Sequence, residues 1–205
     1  MGVPGASPVP DMGPARALSR VEPVPAEGRQ PGLFFHSVRA LDERRDFASL
    51  VRGFDLSLAR TPTGLDHFIG ELCRTAASLY LANPQARIAY VHTVTAPSAL
   101  RMIAEHLTEP LRERAAGRAL QAVAALHAVS AATSHAPPIV HDDEVLRTAE
   151  DPAAIRYHAA CSLEEHAIKF SEACLREDAL APDPVFRLAA ADAALRIGGV
   201  RSPRC

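Results

Sequence analysis

The chain has 205 residues, a hydrophobic fraction of 48% and a formal net charge of −2. This length suits one domain, with or without an unstructured tail. A net charge this close to zero gives no electrostatic basis for binding nucleic acid or an anionic membrane. The N-terminus lacks a basic start followed by an apolar run, and no uncharged stretch reaches the length of a membrane span. We therefore expect a soluble protein.

The four cysteines lie far apart in the sequence and form no CxxC pair. This pattern is typical of reduced thiols in a cytoplasmic protein and does not suggest a disulfide framework. The predicted localisation is therefore cytoplasmic.

Composition divides the chain into a tail and a helical domain. Residues 1–31 are rich in Pro, Gly and Ala, show no periodicity and are predicted to be disordered. Residues 32–200 show apolar side chains at helical spacing. We expect an all-α fold, a multi-helix bundle with an Ala/Leu core.

The predicted helices follow in chain order. The stretch "TPTGLDHFIGELCRTAASLYLANP" starts with Thr-Pro and ends with Asn-Pro, as an isolated helix does. The short segment over residues 88–95 is rich in β-branched residues. Pro97 follows it at a position suited to the first turn of another helix. We interpret this stretch as a helix or extended connector that leads into a helix over about 98–107. Further helices are predicted over about 109–133 and 184–197, and residues 139–154 are predicted to form a loop that contains a short helix.

The stretch "SLEEHAIKFSEACLRE" opens another predicted helix, with Ser162 and Glu165 as a capping box. It also contains Lys169, the only lysine of the chain. Arginine is never neutral at ordinary pH, whereas a buried lysine loses its proton readily. The single lysine therefore raises the question of whether its amine takes part in chemistry.

His166 and Lys169 are three residues apart, so they project from the same face of the helix. A neutral lysine can bind a metal, or it can add carbon dioxide and become a carbamate with carboxylate-like oxygens. Imidazole together with such an oxygen suits a non-haem iron site. The alternative is a lysine on the helix surface, paired with Glu165 or Glu172.

Three other histidines are candidates. His92 in "YVHTVTAPSAL" is flanked by apolar side chains and is expected to be interior, either as a ligand or as a hydrogen-bonded core residue. His127 lies in an apolar helix with the same two interpretations, and His36 in "FFHSVRAL" is a weaker candidate. The nucleotide-binding, zincin and hydrolase motifs GxGxxG, GxxxxGK[ST], HExxH and GxSxG do not occur.

Two stretches together resemble the questin oxidase-like family. The stretch "IAYVHTVTAPSALRMIAEHL" resembles that family's V-H-x-V-T-x-P-x-A-L segment. The stretch "SLEEHAIKFSEACLRE" resembles its D-E-H-x-I-K helix, with Glu164 in place of the aspartate. The helix before the first motif and "PDPVFRLAAADAA" are also similar, so the resemblance covers roughly residues 60–198.

The resemblance implies an all-helical oxidoreductase that inserts oxygen into polycyclic aromatic polyketides such as anthraquinones, in some members with NADPH as the reductant. It implies a non-haem Fe(II) held by several histidines and a carboxylated lysine. Carried over by position, the ligands are His92, His166 and Lys169, and Lys169 is the catalytic residue. His36, in a short match to the family's N-terminal helix, or His127 is expected to complete the shell.

The chain departs from the family in length, because the family's N-terminal portion is longer and carries further histidines. Two alternatives to the enzyme therefore stay open. The chain can be a degenerate or truncated helical module that binds a partner or hydrophobic ligand and forms a homo-oligomer through exposed apolar stripes. It can also be a Schiff-base enzyme that uses Lys169. For the enzyme, the expected partner is a small aromatic substrate.

Overall fold

The computed structural model describes residues 13–29, 34–131 and 142–198. Within these ranges the regular structure is helical, which confirms the prediction of an all-α multi-helix bundle. The α-helices are α1 (Pro14–Leu18), α2 (Phe34–Val38), α3 (Arg45–Arg52), α4 (Pro62–Ala82), α5 (Arg87–Ile103), α6 (Glu109–Ser130), α7 (Asp143–Glu150), α8 (Pro152–Cys161), α9 (Glu165–Leu180) and α10 (Pro184–Arg196). Among the helices of the described residues, none combines the length and the apolar character that a membrane crossing needs.

Helices α4 and α10 begin and end where the sequence predicts. Proline occupies the first turn of both, where its missing N–H costs no hydrogen bond. The Asp183 carboxylate caps α10 by accepting the Val185 N–H at 3.0 Å. Gly198, just past the end of α10, has a φ of 110°, which glycine adopts without strain.

The predicted connector over residues 88–95 is wholly helical. Residues 88–95 belong to α5, which runs from Arg87 to Ile103 with Pro97 inside it. The prediction that a new helix starts near Ser98 is therefore wrong. Pro97 lacks an N–H and costs one backbone hydrogen bond, and the buried side chains on both sides of it hold the helix together.

The N-terminal prediction is wrong for part of its range. Residues 13–29 contain α1, and the side chains of Ala17, Leu18, Val21 and Val24 are buried. The Val24 N–H donates to the Ala128 carbonyl on α6 at 2.6 Å. These apolar side chains are too few to change the average composition, but they are enough to fasten the segment. Residues 1–12 lie outside the described residues.

The described residues form two compact units. The first comprises residues up to Leu72 together with Leu100–His135. Its core includes Leu65 and Ile69 of α4 and Leu120 of α6, and α2 packs against α6.

The second unit comprises Cys73–Ala99 together with the residues from Ala136 onward. Its largest buried side chains are Tyr80, Tyr90, Phe170 and Phe186. Helix α10 packs against α7, α8 and α9. The short helix predicted within residues 139–154 is present as α7, and the start of α8 lies in the same segment.

The cysteines do not all match the prediction of reduced thiols. Cys73 and Cys174 are free and buried. Cys161 is disulfide-bonded, so the prediction is wrong at that position.

We expect acid to destabilise the protein through His127. Its side chain in the first unit is 2% exposed, and burial lowers its pKa from 6.5 to about 4. Because the folded pKa is the lower one, this contribution to stability is complete above pH 6.5 and is lost as the pH falls towards 4. The loss by pH 4.5 is on the order of 2–3 kcal/mol.

Urea unfolding between pH 7.5 and 4.5 tests this expectation. The free energy of unfolding of His127→Gln should depend less steeply on pH than that of the wild type. The control His106→Gln changes a histidine whose side chain is 75% exposed and should keep the wild-type slope. If the free energy of unfolding depends equally on pH in all three proteins, His127 is not the cause of the acid sensitivity.

Candidate functional site

Two predicted site residues meet in the second unit. The ring centroids of His92 on α5 and His166 on α9 are 5.5 Å apart, and the ring planes cross at 85°. The His166 side chain is 21% exposed, and His92 is half-buried. The histidines of the two motifs therefore form one pair that solvent and small ligands can reach.

The start of α9 differs from the predicted capping box. Ser162 ends α8: its hydroxyl donates to the Ala159 carbonyl at 2.7 Å and accepts the Glu164 N–H at 3.2 Å. Leu163 follows with a φ of 53°. The N-cap of α9 is Glu164, whose side chain accepts the His166 N–H. Ser162 is not the N-cap, because the preceding helix uses its hydroxyl.

Glu164 also fixes the ring of His166. Its Oε1 lies 2.6 Å from His166 Nδ1, and this hydrogen bond lowers the pKa of the Glu164 carboxyl. Beside a carboxylate, Nδ1 carries the proton and donates. The ring nitrogen left for a ligand is Nε2, an arrangement common for metal-binding histidines.

Lys169 lies beside the pair as a charged amine. Its Nζ is 3.6 Å from Glu165 Oε1, and its side chain is 36% exposed. This is the surface pair that sequence analysis gave as the alternative to a ligand. Burial lowers the pKa of His92, and the nearby positive charge of Lys169 lowers it further. His92 is therefore neutral at physiological pH, the form in which imidazole binds a metal.

The other two predicted ligands, His36 and His127, belong to the first unit. His36 is exposed on α2, and His127 is buried in α6. Within the part of the chain that the structure describes, no group of three or more His, Cys, Asp or Glu side chains could hold a metal ion. What the described residues offer is an imidazole pair with an orienting carboxylate and a neighbouring lysine.

Sequence reasoning missed the polar groups that hold this site. Glu177 of α9 is 2% exposed and accepts the Ser98 hydroxyl of α5 at 2.8 Å. Asp192 of α10, 8% exposed, accepts Tyr80 Oη at 2.7 Å and two N–H groups of Arg87 at 2.7 and 2.9 Å. The one available signal was an aspartate in the middle of the alanine run "LAAADAAL".

No protein-family model, curated protein or solved structure matches this chain. The resemblance to the questin oxidase-like family therefore rests on the two motifs and stays a prediction, as do the ligand roles.

Replacing Leu163 by glycine should stabilise the protein. A non-glycine residue in the left-handed region costs about 1–2 kcal/mol, and the Leu163 side chain is 77% exposed, so little packing is lost. Part of the gain is offset because glycine has more freedom in the unfolded chain. We expect Leu163→Gly to raise the free energy of unfolding by about 0.5–1 kcal/mol in urea titrations.

The matched control is Leu163→Ala, which removes the same side chain but keeps a Cβ. It should show no gain. If the two variants are equally stable, backbone strain at Leu163 is not the cause.

Proposed function

We propose that the chain is an oxygen-inserting oxidoreductase of the questin oxidase-like type, in which His92 and His166 bind Fe(II). The observation that carries the proposal is the imidazole pair, since its rings come from the two motifs of the resemblance and are 5.5 Å apart. Imidazole suits iron among other first-row metals. Imidazole nitrogens bind such metals at about 2.1 Å, so rings this close can share one ion.

Two features of the surroundings support a cation at this pair. The Glu164 carboxylate engages Nδ1 of His166 and so leaves Nε2 as the ring nitrogen for a ligand, and His92 is kept neutral by burial and by Lys169. His92 is therefore in the form that binds a metal without first releasing a proton. Two imidazoles leave coordination positions for oxygen and substrate.

Lys169 fits the predicted ligand set only after a chemical change. The ammonium has to leave Glu165 and give its proton to water. The amine nitrogen then forms a bond to the carbon of carbon dioxide and loses a second proton, so a cation becomes a carbamate anion. This change would replace a repelling positive charge beside the ion by a carboxylate-like oxygen ligand.

Bound Fe(II) would supply a one-electron route by which ground-state dioxygen can react. The chain's own contribution would be to orient His166 through Glu164 and to hold the pair in partly desolvated surroundings. A small, flat aromatic molecule is the expected substrate, and NADPH is the reductant that the resemblance suggests.

A second candidate is the non-catalytic helical module. It is favoured by the exposed apolar side chains of the second unit, among them Leu163 at 77% and Leu180 at 60%. Size-exclusion chromatography with light scattering separates the two candidates by the mass of the particle. A module of this kind should form oligomers in which Leu163 and Leu180 are covered by another subunit, whereas the enzyme does not need to form oligomers.

Metal titration tests the imidazole pair. Under anaerobic conditions, the wild type should bind one equivalent of Fe(II) by calorimetry, and His92→Ala and His166→Ala should each abolish this binding. Glu164→Gln should weaken it by about tenfold, because an orienting partner is lost. His67→Ala, a change at a side chain that is 71% exposed, is the control and should bind as the wild type does. Binding that survives both histidine substitutions would contradict the proposal.

The carbamate has a separate test, which uses the fact that Lys169 is the only lysine. With ¹³C-bicarbonate and metal, the wild type should show one side-chain carbamate signal in its ¹³C NMR spectrum. Lys169→Arg keeps the positive charge but cannot form a carbamate, so the signal should vanish and the metal affinity should fall. If the wild type shows no carbamate signal and Lys169→Arg binds the metal with unchanged affinity, Lys169 is not a ligand.

A further inference from the structure

A groove of ≈ 410 Å³ lies between α8 and α9 in the second unit. Its volume is within the range of small-molecule sites. Apolar side chains form much of the lining, including Ile168, Leu175 and the alanines Ala159, Ala160 and Ala179. Because alanine carries only a methyl group, the helix surfaces here are smooth, and a flat molecule can lie close to both.

Three of the four polar side chains in the groove are already engaged. The Ser171 hydroxyl donates to the Ala190 carbonyl at 3.1 Å. Arg176 donates to Glu172 at 2.6 Å and to the Ser98 hydroxyl at 2.8 and 3.2 Å. These groups satisfy one another and have little to offer a ligand.

Arg156 of α8 is the fourth. It lines the groove and makes no hydrogen bond or ion pair with any residue that the structure describes. Since the charges of Arg176 and Glu172 cancel, the groove carries one uncompensated positive charge, at Arg156. A guanidinium binds a carboxylate through two parallel N–H···O hydrogen bonds.

We propose that this groove binds a small planar carboxylate, with the carboxylate on Arg156 and the flat apolar body on the alanine surfaces of α8 and α9. Neither group of the ligand needs the imidazole pair. The proposal therefore holds or fails independently of the Fe(II) site, and it is tested on metal-free protein.

The test is a titration of the full chain with 2-naphthoate, followed by ¹H–¹⁵N NMR in the presence of a chelator. The largest shift changes should fall on amides of α8 and α9 around Arg156 and Ala160. The neutral analogue 2-naphthalenemethanol should bind at least threefold more weakly. Raising the salt concentration should weaken naphthoate alone, since only its binding uses the charge.

Two variants locate the site. Arg156→Gln should weaken naphthoate binding about fivefold, the scale of an exposed ion pair, and should leave the alcohol unaffected. Arg147→Gln removes an equal charge from exposed Arg147 of α7, outside the groove, and should change nothing. Ala160→Leu, at an exposed position of α8, should fill the groove and weaken both ligands.

The proposal is overturned if naphthoate shifts amides elsewhere or none at all, if the alcohol binds as tightly, or if Arg156→Gln and Arg147→Gln behave alike. His166→Ala serves to separate the two sites. It should abolish Fe(II) binding and leave naphthoate binding intact.

Discussion

Buried carboxylates are the constraint on which the second unit depends. Glu177, Asp178 and Asp192 are 2%, 6% and 8% exposed, and a buried carboxylate is costly unless hydrogen bonds or opposite charges compensate for the lost water. Each carboxylate is compensated by a side chain from another helix. Ser98 donates to Glu177, Arg187 lies 2.6 Å from Asp178, and Tyr80 and Arg87 donate to Asp192. Loss of one of these partners would leave a buried carboxylate uncompensated, which costs several kcal/mol.

This constraint places His92 opposite His166. Helix α5 is fastened on both sides of His92: Arg87 binds Asp192 of α10, and Ser98 binds Glu177 of α9. His92 lies between these anchors, and its ring meets His166 edge to face. On α9, Glu164 caps the first turn and holds the His166 ring with the same carboxylate. The geometry of the pair thus follows from hydrogen bonds made by residues that are not themselves candidate ligands.

The sequence predicts the helices well where local signals mark their ends. Proline and glycine delimit α4 and α10, and both helices lie as predicted. Prediction fails where tertiary contacts decide. Pro97 suggests a helix start but lies inside α5, and Ser162 suggests a helix start but is the C-cap of α8. The Pro-rich composition of the N-terminal stretch gives no signal for the buried residues of α1. At Pro97 and in α1 a local preference is overridden by packing, whereas at Ser162 the preceding helix uses the hydroxyl.

Of the five predicted site residues, three lie in the second unit, and the geometry of these three could not be predicted. The motifs named His92, His166 and Lys169, and the structure brings the three near one another in the second unit. Spacing along α9 could not decide between a buried amine and an ion pair with Glu165, because both use the same helical repeat. The structure shows the ion pair. Burial of Glu177 and Asp192 was likewise invisible, since a sequence does not show which carboxylates will face a core.

The most direct test of the account asks whether the two rings share one ion. One equivalent of Co²⁺, a paramagnetic substitute for Fe(II), is added to protein with labelled histidines, and the ring protons are followed by NMR. Strongly shifted ring signals are expected from both His92 and His166, whose ring protons are assigned beforehand by comparing the metal-free spectra of the wild type and the two single alanine variants. Shifts confined to one of the two rings, or found on other histidines instead, would contradict it.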